Sequence, residues 1–389
     1  MRIALIHYWL YGMRGGEKVI AEILKLFPNA DIYTHLYVPE NLDPSITEHK
    51  ITKTFINSLP LSKKYYQAYL PLMPWALNKL DLKNYDLIIS SESGPAKGVN
   101  KHKDACHICY CHTPMRYIWD QFDQYFGKGK SSWLTEKMMK LIRPWLQRWD
   151  VNTSRKVNNF IANSRHVQKR IKKYYGKEAT VIHPPVDTEL FTPASTDEKG
   201  DYFLILSAFA PYKRLDIAVE AFNQLGMPFF VIGEGQDEKR LKKIAKPNIH
   251  FEGWLDISQI RSHFARCRAF VFCGEEDFGI SLLEAQAMGR PVIAFGRGGA
   301  LETVIPDNQS WKPETEIPQA STSQPTGVFF YEQTPEALIN AIKHFESIES
   351  QFDSKVIRNH AQKFDGSVYT KQMKNFIQEQ IEKRPDLEK

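Results

Sequence analysis

Two glutamates eight residues apart, Glu276 and Glu284, are the first candidates for chemistry in this chain of 389 residues. Glu276 lies in an acidic, glycine-containing turn after the apolar run 269–272, and Glu284 lies in a helical pattern that begins near Ile280. The carboxyl ends of parallel strands and the N-termini of the following helices bind anions such as diphosphates, and carboxylates accept hydrogen bonds from sugar hydroxyls. The pattern predicts a ligand crevice, although an ordinary acidic helix start with a solvated glutamate looks the same.

Glycine pairs follow two other apolar runs. The run 291–295 precedes the glycine-rich turn 296–299, and the run 3–8 precedes Gly15 and Gly16. Glycines at such turns allow a ligand to approach the backbone closely, although a single glycine pair also occurs in ordinary turns.

Cations and a histidine complete the set of residues at strand ends. Lys213 and Arg214 follow the apolar run 203–207, where two positive charges can neutralise a diphosphate leaving group. His112 ends another apolar run and opens the sequence His-Thr-Pro-Met-Arg, so it is the best candidate for chemistry in the first half of the chain. A structural, hydrogen-bonded histidine is the alternative.

The segment 106–112, which reads Cys-His-Ile-Cys-Tyr-Cys-His, contains residue types that bind zinc. In a strand, however, successive side chains point to opposite faces, so four of these ligands cannot converge on one ion. We therefore predict no metal site here.

These motifs resemble a known family. Glu276 and Glu284 with Phe278-Gly279 between them, followed by Gly-Arg-Pro-Val and Gly-Gly, are similar to the retaining nucleotide-sugar glycosyltransferases of the family 4, or group 1, type. The resemblance covers nearly the whole chain and is strongest over 207–330. It implies an α/β fold of GT-B architecture, in which two Rossmann-like doubly wound domains face a central cleft. Residues 1–183 would form the acceptor-side domain, 184–364 the nucleotide-sugar domain, and 365–389 a helix returning to the first domain.

The resemblance also assigns roles. It implies that His112, Lys213 and Glu276 are catalytic, with Glu276 on sugar hydroxyls and Glu284 on the ribose. Ala208 stands where the family usually has an arginine, five residues before the lysine, so Arg214 is the substitute that we expect. Trp254 would stack on the base or fill the core. The full set of expected donor-binding residues is Gly15, Gly16, Arg214, Gly233, Trp254, Phe278, Gly279, Ile280, Ser281 and Glu284.

The implied reaction is hexose transfer from a nucleotide sugar without a metal cofactor. The resemblance is greatest to mannosyltransferases of polysaccharide assembly that use GDP-mannose, with a glycan or lipid-linked acceptor. Two alternatives stay open. The same fold hosts nucleotide-sugar epimerases, and a basic protein without catalytic activity would bind a membrane or nucleic acid.

Positive charge is concentrated in the first half of the chain. Residues 1–185 hold 28 lysines and arginines against 15 acids, a net charge of +13, which leaves −7 for the rest. The stretch 128–173 has 13 basic residues and two acids, with Trp133, Trp145 and Trp149 among them. This composition favours an anionic membrane surface, or a solvated helical face whose tryptophans are core, with nucleic acid less favoured.

Other features of the chain give weaker indications of its location and secondary structure. The odd count of five cysteines, and an N-terminus that enters a strand at 2–7 rather than the apolar segment of a signal peptide, predict a cytoplasmic protein, peripheral on the membrane at most. We expect helices and loops over 32–85, the last strand of the first domain at 160–164, and a surface insertion at 307–326.

Overall fold

The computed structural model describes residues 1–127, 131–193, 200–312 and 324–383. The chain divides into two compact units. Unit 1 comprises Met1–Pro185 and Ser367–Lys389, and unit 2 comprises Val186–Gly366. The expected insertion at 307–326 falls largely on residues 313–323, which lie outside the described residues.

Unit 1 is built on a parallel sheet of seven strands in the order β3-β2-β1-β4-β5-β6-β7. These strands are β1 (Ile3–His7), β2 (Asp31–Thr34), β3 (Ile51–Lys53), β4 (Leu87–Glu92), β5 (Cys106–Cys111), β6 (Asn159–Ala162) and β7 (Ala179–Val181).

Unit 2 contains a parallel sheet of six strands in the order β10-β9-β8-β11-β12-β13. Its strands are β8 (Phe203–Leu206), β9 (Phe229–Ile232), β10 (Ile249–Gly253), β11 (Ala269–Phe272), β12 (Val292–Phe295) and β13 (Gly327–Phe330).

Helices connect the parallel strands and cover both faces of each sheet, as crossover connections require. In chain order they are α1 (Gly15–Leu26), α2 (Pro44–Thr47), α3 (Ser62–Tyr65), α4 (Met73–Asn78), α5 (Phe122–Phe126), α6 (Trp133–Ser154), α7 (Arg165–Tyr175), α8 (Leu215–Leu225), α9 (Glu238–Ile244), α10 (Ile257–Arg266), α11 (Ile280–Ala287), α12 (Ala300–Thr303), α13 (Pro335–Ile348), α14 (Ser354–Ala361) and α15 (Gly366–Glu382). None of the helices in the described ranges combines the length and the hydrophobicity that crossing a bilayer requires.

The sheet core explains why the central strands read as continuous apolar runs. All residues of β1, β4 and β5 are buried, because helices cover both sides. Side chains of β5 alternate between two cores: Cys106, Ile108 and Tyr110 pack on one side, and Cys109 and Cys111 on the other. The alternation follows the period of two that the sequence predicts for this strand.

Three short strands of the first sheet differ from the sequence prediction. The segment 32–85 contains the strands β2 and β3, and not only helices and loops, and β6 is followed by a further strand, β7. These predictions were wrong because the three strands have only four, three and three residues. So short a segment gives little periodicity, and its strand conformation comes from pairing with a neighbour.

The last helix, α15, belongs to the first core. Its buried residues Tyr369, Met373 and Ile377 pack in the same hydrophobic cluster as Leu5 of β1 and Ile89 of β4. The Oγ1 hydroxyl of Thr370 also donates a hydrogen bond of 3.3 Å to Glu22 of α1. Unit 1 is thus completed by a segment that follows the whole of unit 2 in the sequence.

A buried charge cluster ties the connections of unit 1 together. The ammonium of Lys97, which is fully buried, contacts Glu92 at 2.6 Å, Asp150 of α6, and the Tyr175 hydroxyl at 3.3 Å. Trp119 donates to the second oxygen of Asp150 at 2.8 Å. The cluster joins the end of β4 to α6 and α7, and the sequence patterns gave no sign of it.

Candidate active site

The strand order places a topological switch point in each sheet. In both units the chain leaves the middle of the sheet in one direction and returns to the other side, between β1 and β4 in unit 1 and between β8 and β11 in unit 2. Parallel sheets of this kind open a crevice beyond the carboxyl ends of these two strands, and ligands bind there. The candidate residues can therefore be tested by asking which of them lie at these two points.

In unit 2 the switch point brings two predicted catalytic residues into contact. Lys213 follows β8 and Glu276 follows β11, and the Lys213 ammonium donates to a carboxylate oxygen of Glu276. The two residues are 63 positions apart in the sequence. Both side chains are mostly buried, so their charges act in a less polar medium than water and interact strongly.

Backbone contacts that only glycine permits hold the Glu276 turn. Gly298 has a φ of +63°, and a Cβ at this position would lie 2.3 Å from the carbonyl oxygen of Glu276. The N–H of Gly299 donates to the same oxygen at 2.7 Å. A Cβ on Gly299 would lie 2.2 Å from the Cα of Phe278. The glycine-rich turn after β12 thus packs directly on the acidic turn after β11.

Helix α11 begins at this turn. Gly279, with a φ of +93°, precedes the first helical residues Ile280 and Ser281, and the predicted Glu284 lies one turn further on, nearly buried. The first N–H groups of an α-helix have no partner within the helix and attract anions. The side chain of Phe278 is only 3% exposed and packs in the core near Phe364. Phe278 therefore offers a ligand its backbone rather than its ring.

Arg214 is held by a local partner. Its backbone adopts a left-handed conformation with a φ of +54°, and its guanidinium pairs with Asp216 at 3.1 Å. The side chain is about one third exposed. The structure thus places Arg214 beside Lys213 in sequence but engaged with the first turn of α8.

The turns after β9 and β10 meet at the same edge. The N–H of Gly233 donates to the carbonyl of Gly253 at 2.9 Å, and a Cβ on Gly233 would lie 2.0 Å from the Ser207 carbonyl oxygen. Trp254 follows directly and is 76% exposed. It therefore does not fill the core, which was one of the two interpretations of this residue.

In unit 1 the switch point gathers the glycine pair and two histidines. Helix α1 begins at Gly15, and a Cβ on Gly16 would lie 3.1 Å from the Tyr8 hydroxyl and 3.2 Å from the ring of His7. His7 ends β1, and its Nε2 lies 3.9 Å from the buried carboxylate of Glu17. Because Gly16 has no side chain, there is room beside it for these buried polar groups.

His112 directly follows β5, which is the strand next to β4 in the sheet. Its Nε2 and the Ser91 hydroxyl form a hydrogen bond of 2.8 Å. Burial, and to a smaller extent the nearby His7, lower the pKa of His112 to about 3. The ring is therefore neutral at physiological pH and acts as a hydrogen-bonding group rather than a cation.

Sequence reasoning missed His7, Glu17 and Ser91, which share this edge with His112. A signal was present, because His7 lies near the end of the apolar run 3–8 that precedes the glycine turn. In the sheet, Ser91 of β4 is paired with His7. Within the described residues, the cysteines do not form a metal site. All five are buried and none is in a disulfide, and no group of three potential ligands within the described ranges is placed to hold an ion.

Family models match both halves of the chain. Residues 13–190 match the model "Glycosyltransferase Family 4", and residues 186–363 match "Glycosyl transferases group 1". The first match contains Gly15, Gly16 and His112, and the second contains Lys213, Glu276 and Glu284.

Individual proteins extend this result. The chain is 30% identical, over 37% of its length, to a GDP-mannose-dependent monoacylated alpha-(1-6)-phosphatidylinositol monomannoside mannosyltransferase of Corynebacterium glutamicum, of which the match covers 45%. It is 28% identical, over 45% of its length, to O-antigen chain mannosyltransferase C of Escherichia coli, of which the match covers 50%. The matched region thus spans about half of these relatives.

A solved structure matches the whole chain. HepE of Anabaena, in complex with UDP and glucose, superposes with a TM-score of 0.68 at 16% identity, covering 97% of this chain and 99% of that one. At this identity the likeness concerns the fold. Together with the two family models and the two parallel, Rossmann-like sheets, it shows that this chain belongs to the glycosyltransferases of the family 4 and group 1 type and has the GT-B fold.

Proposed function

We propose that the protein transfers a hexose, namely mannose, from GDP-mannose to a glycan or lipid-linked acceptor in polysaccharide or glycolipid synthesis. The observation that carries this proposal is the contact between Lys213 and Glu276 at the switch point of unit 2. A cation and a carboxylate in contact there match the two ends of a sugar diphosphate, since one end is anionic and the other carries hydroxyls. The mannosyltransferase names of the matched relatives support the choice of sugar.

Each residue has a proposed task. The bond from the anomeric carbon to the diphosphate breaks while the acceptor oxygen bonds to the same face of that carbon and gives its proton to the departing diphosphate, so the configuration is retained. Lys213 and the first N–H groups of α11 stabilise the charge on the departing diphosphate, which is the main contribution to catalysis. Glu276 accepts hydrogen bonds from sugar hydroxyls, and Glu284 from the ribose. Gly15 and Gly16 allow close approach of the diphosphate.

The remaining assignments come from the resemblance. The neutral side chain of His112 forms a hydrogen bond with the transferred sugar, and the exposed Trp254 stacks on the base. Arg214 contributes to diphosphate binding only if it leaves Asp216, so its share is smaller than that of Lys213. No step requires a metal ion, because the ammonium and the helix N-terminus supply the positive charge.

A nucleotide screen tests the donor. Thermal shift and calorimetry with GDP, UDP and ADP are expected to show the largest stabilisation with GDP, because ligand binding to the native state raises its stability. GDP-mannose with a lipid-linked acceptor should then give a product whose anomeric configuration, read by NMR, is that of the donor. Preference for UDP would contradict the choice of GDP-mannose, and binding of none of the three would contradict the proposal as a whole.

The epimerase alternative makes a different prediction in the same experiment. An epimerase would release an epimerised sugar from the nucleotide sugar without any acceptor. Transfer that requires the acceptor, with no such release, distinguishes the two enzymes.

Replacing Glu284 with glutamine should raise the KM for the donor roughly tenfold or more while the turnover number changes little, because hydrogen bonds to a charged group contribute about 1.5–3 kcal/mol. The change keeps the size of this nearly buried side chain, so the fold is retained. The matched control is Glu220→Gln on the exposed face of α8, which should leave both constants unchanged. A fall in turnover without a change in KM would contradict the ribose assignment.

A further inference from the structure

Helix α6 carries apolar side chains on its outer face. Leu134, Met138, Leu141 and Trp145 are 63%, 46%, 81% and 48% exposed, and we call these four residues the apolar stripe. Their spacing of four, three and four residues places them on one side of an α-helix. Soluble monomers rarely expose such a continuous apolar row, so it indicates an interaction surface.

The stripe is not the core-facing side of α6. Met139 and Leu146 are buried in a hydrophobic cluster, with Ile142 and Trp149 packed against it. A Cβ on Gly98 would lie 2.2 Å from the Trp149 ring, which confirms how closely this tryptophan is packed. The helix thus has two apolar sides, and among the described residues of unit 1 only one of these sides is covered.

Basic residues accompany the stripe. Lys137 and Arg148 are exposed and flank it along one side of the helix. Of the two acids of α6, Asp150 is fully buried in the Lys97 cluster, and Glu136 offsets the charge of Lys140, with which it pairs at 2.6 Å, so the positive charge beside the stripe comes from Lys137 and Arg148. The outer face of α6 is therefore both apolar and positively charged.

A second segment of unit 1 has the same character. Leu61, Tyr65, Leu72 and Trp75 are also exposed, and the basic Lys63 and Lys64 lie among them. Their neighbours Leu70 and Met73 are buried in the same cluster as Met139 and Leu146. This segment and α6 thus pack on one core and both present apolar and basic side chains outward.

We propose that the apolar stripe of α6 inserts into the interfacial layer of an anionic bilayer, with Lys137 and Arg148 on the lipid phosphates. Amphipathic helices with basic residues beside leucine and tryptophan bind membranes by these two contributions together. A positively charged surface opposes a second copy of itself, which argues against self-association through this face. The inference goes beyond the proposed function, because it requires neither donor nor acceptor.

Vesicle sedimentation tests the proposal on the full chain. Binding is expected to vesicles of phosphatidylcholine with about one third phosphatidylglycerol, and to be weaker by roughly tenfold or more on phosphatidylcholine alone and at high salt. Leu141→Ser with Trp145→Ser should reduce binding at least about tenfold, and Lys137→Ala with Arg148→Ala should remove most of the preference for anionic lipid. The matched controls Ile257→Ser and Lys242→Ala change exposed residues of unit 2 and should bind like the wild type.

Circular dichroism checks that each variant is folded. The unaltered protein gives a second test, because vesicles that contain brominated lipid should quench the fluorescence of the exposed tryptophans of α6. Wild-type binding by the stripe variant, or absence of quenching, would overturn the proposal. The proposal would also be overturned if the protein did not bind vesicles but formed a dimer, or bound nucleic acid, in a way that the same substitutions abolish.

Discussion

Replacement of Lys213 by alanine is expected to lower the turnover number about 100-fold or more. The removal of one preorganised donor to a developing negative charge costs about 3–4 kcal/mol of barrier, and each 1.36 kcal/mol is a factor of ten in rate. Lys213 is the cation that the structure places against Glu276 at the switch point of unit 2, where few water molecules would screen it. The affinity for the nucleoside diphosphate should fall at least about tenfold, whereas that for the monophosphate should hardly change.

Calorimetry with GDP and GMP separates this role from a general loss of structure. Glu276→Gln is expected to retain diphosphate affinity and to weaken binding of the sugar nucleotide, because it keeps the cation and alters the sugar contact. Lys242→Ala, which removes an exposed lysine paired with Glu238, is the matched control and should behave like the wild type. A folded Lys213→Ala protein with less than a tenfold loss of turnover would refute the assignment.

Replacement of Lys97 by methionine is expected to lower the free energy of unfolding by about 3–5 kcal/mol, because it leaves the buried carboxylates of Glu92 and Asp150 without their cation. Burial alone lowers the pKa of Lys97, but the charges of Asp150 and Glu92 outweigh it and hold the pKa above its ordinary value. Lys97 is therefore charged in the folded protein. Burial also raises the pKa of Glu92, so loss of the lysine favours the protonated form of this carboxyl group.

Denaturant unfolding measures this effect. Lys63→Met is the matched control, because it removes a lysine whose contact with Glu40, at 2.9 Å, is exposed, and such pairs contribute at most about 1 kcal/mol. Adding Asp150→Asn to Lys97→Met should recover part of the lost stability, since it removes one of the unpaired charges. A Lys97→Met protein as stable as the Lys63→Met control would show that the cluster is not a charge-balanced unit.

The residues that end the central strands could be read from the sequence. The apolar runs of β1, β5, β8 and β11 are continuous because both faces of a parallel sheet are buried, and each run stops at a polar or glycine-rich turn. The strand ends therefore pointed to the glycine pair, His112, Lys213 and Glu276. The pattern carried no comparable signal for the three short strands β2, β3 and β7, whose conformation depends on pairing.

Contacts between distant residues were decided by the tertiary structure alone. Lys213 and Glu276 meet because β8 and β11 are neighbours, and Lys97 reaches Asp150 across 53 residues because α6 packs against the end of β4. Local patterns carry the secondary structure and the type of residue at each strand end. Strand order and helix packing, which depend on the whole core, decided that Arg214 turns to Asp216, that Trp149 packs inward and that Trp145 remains exposed.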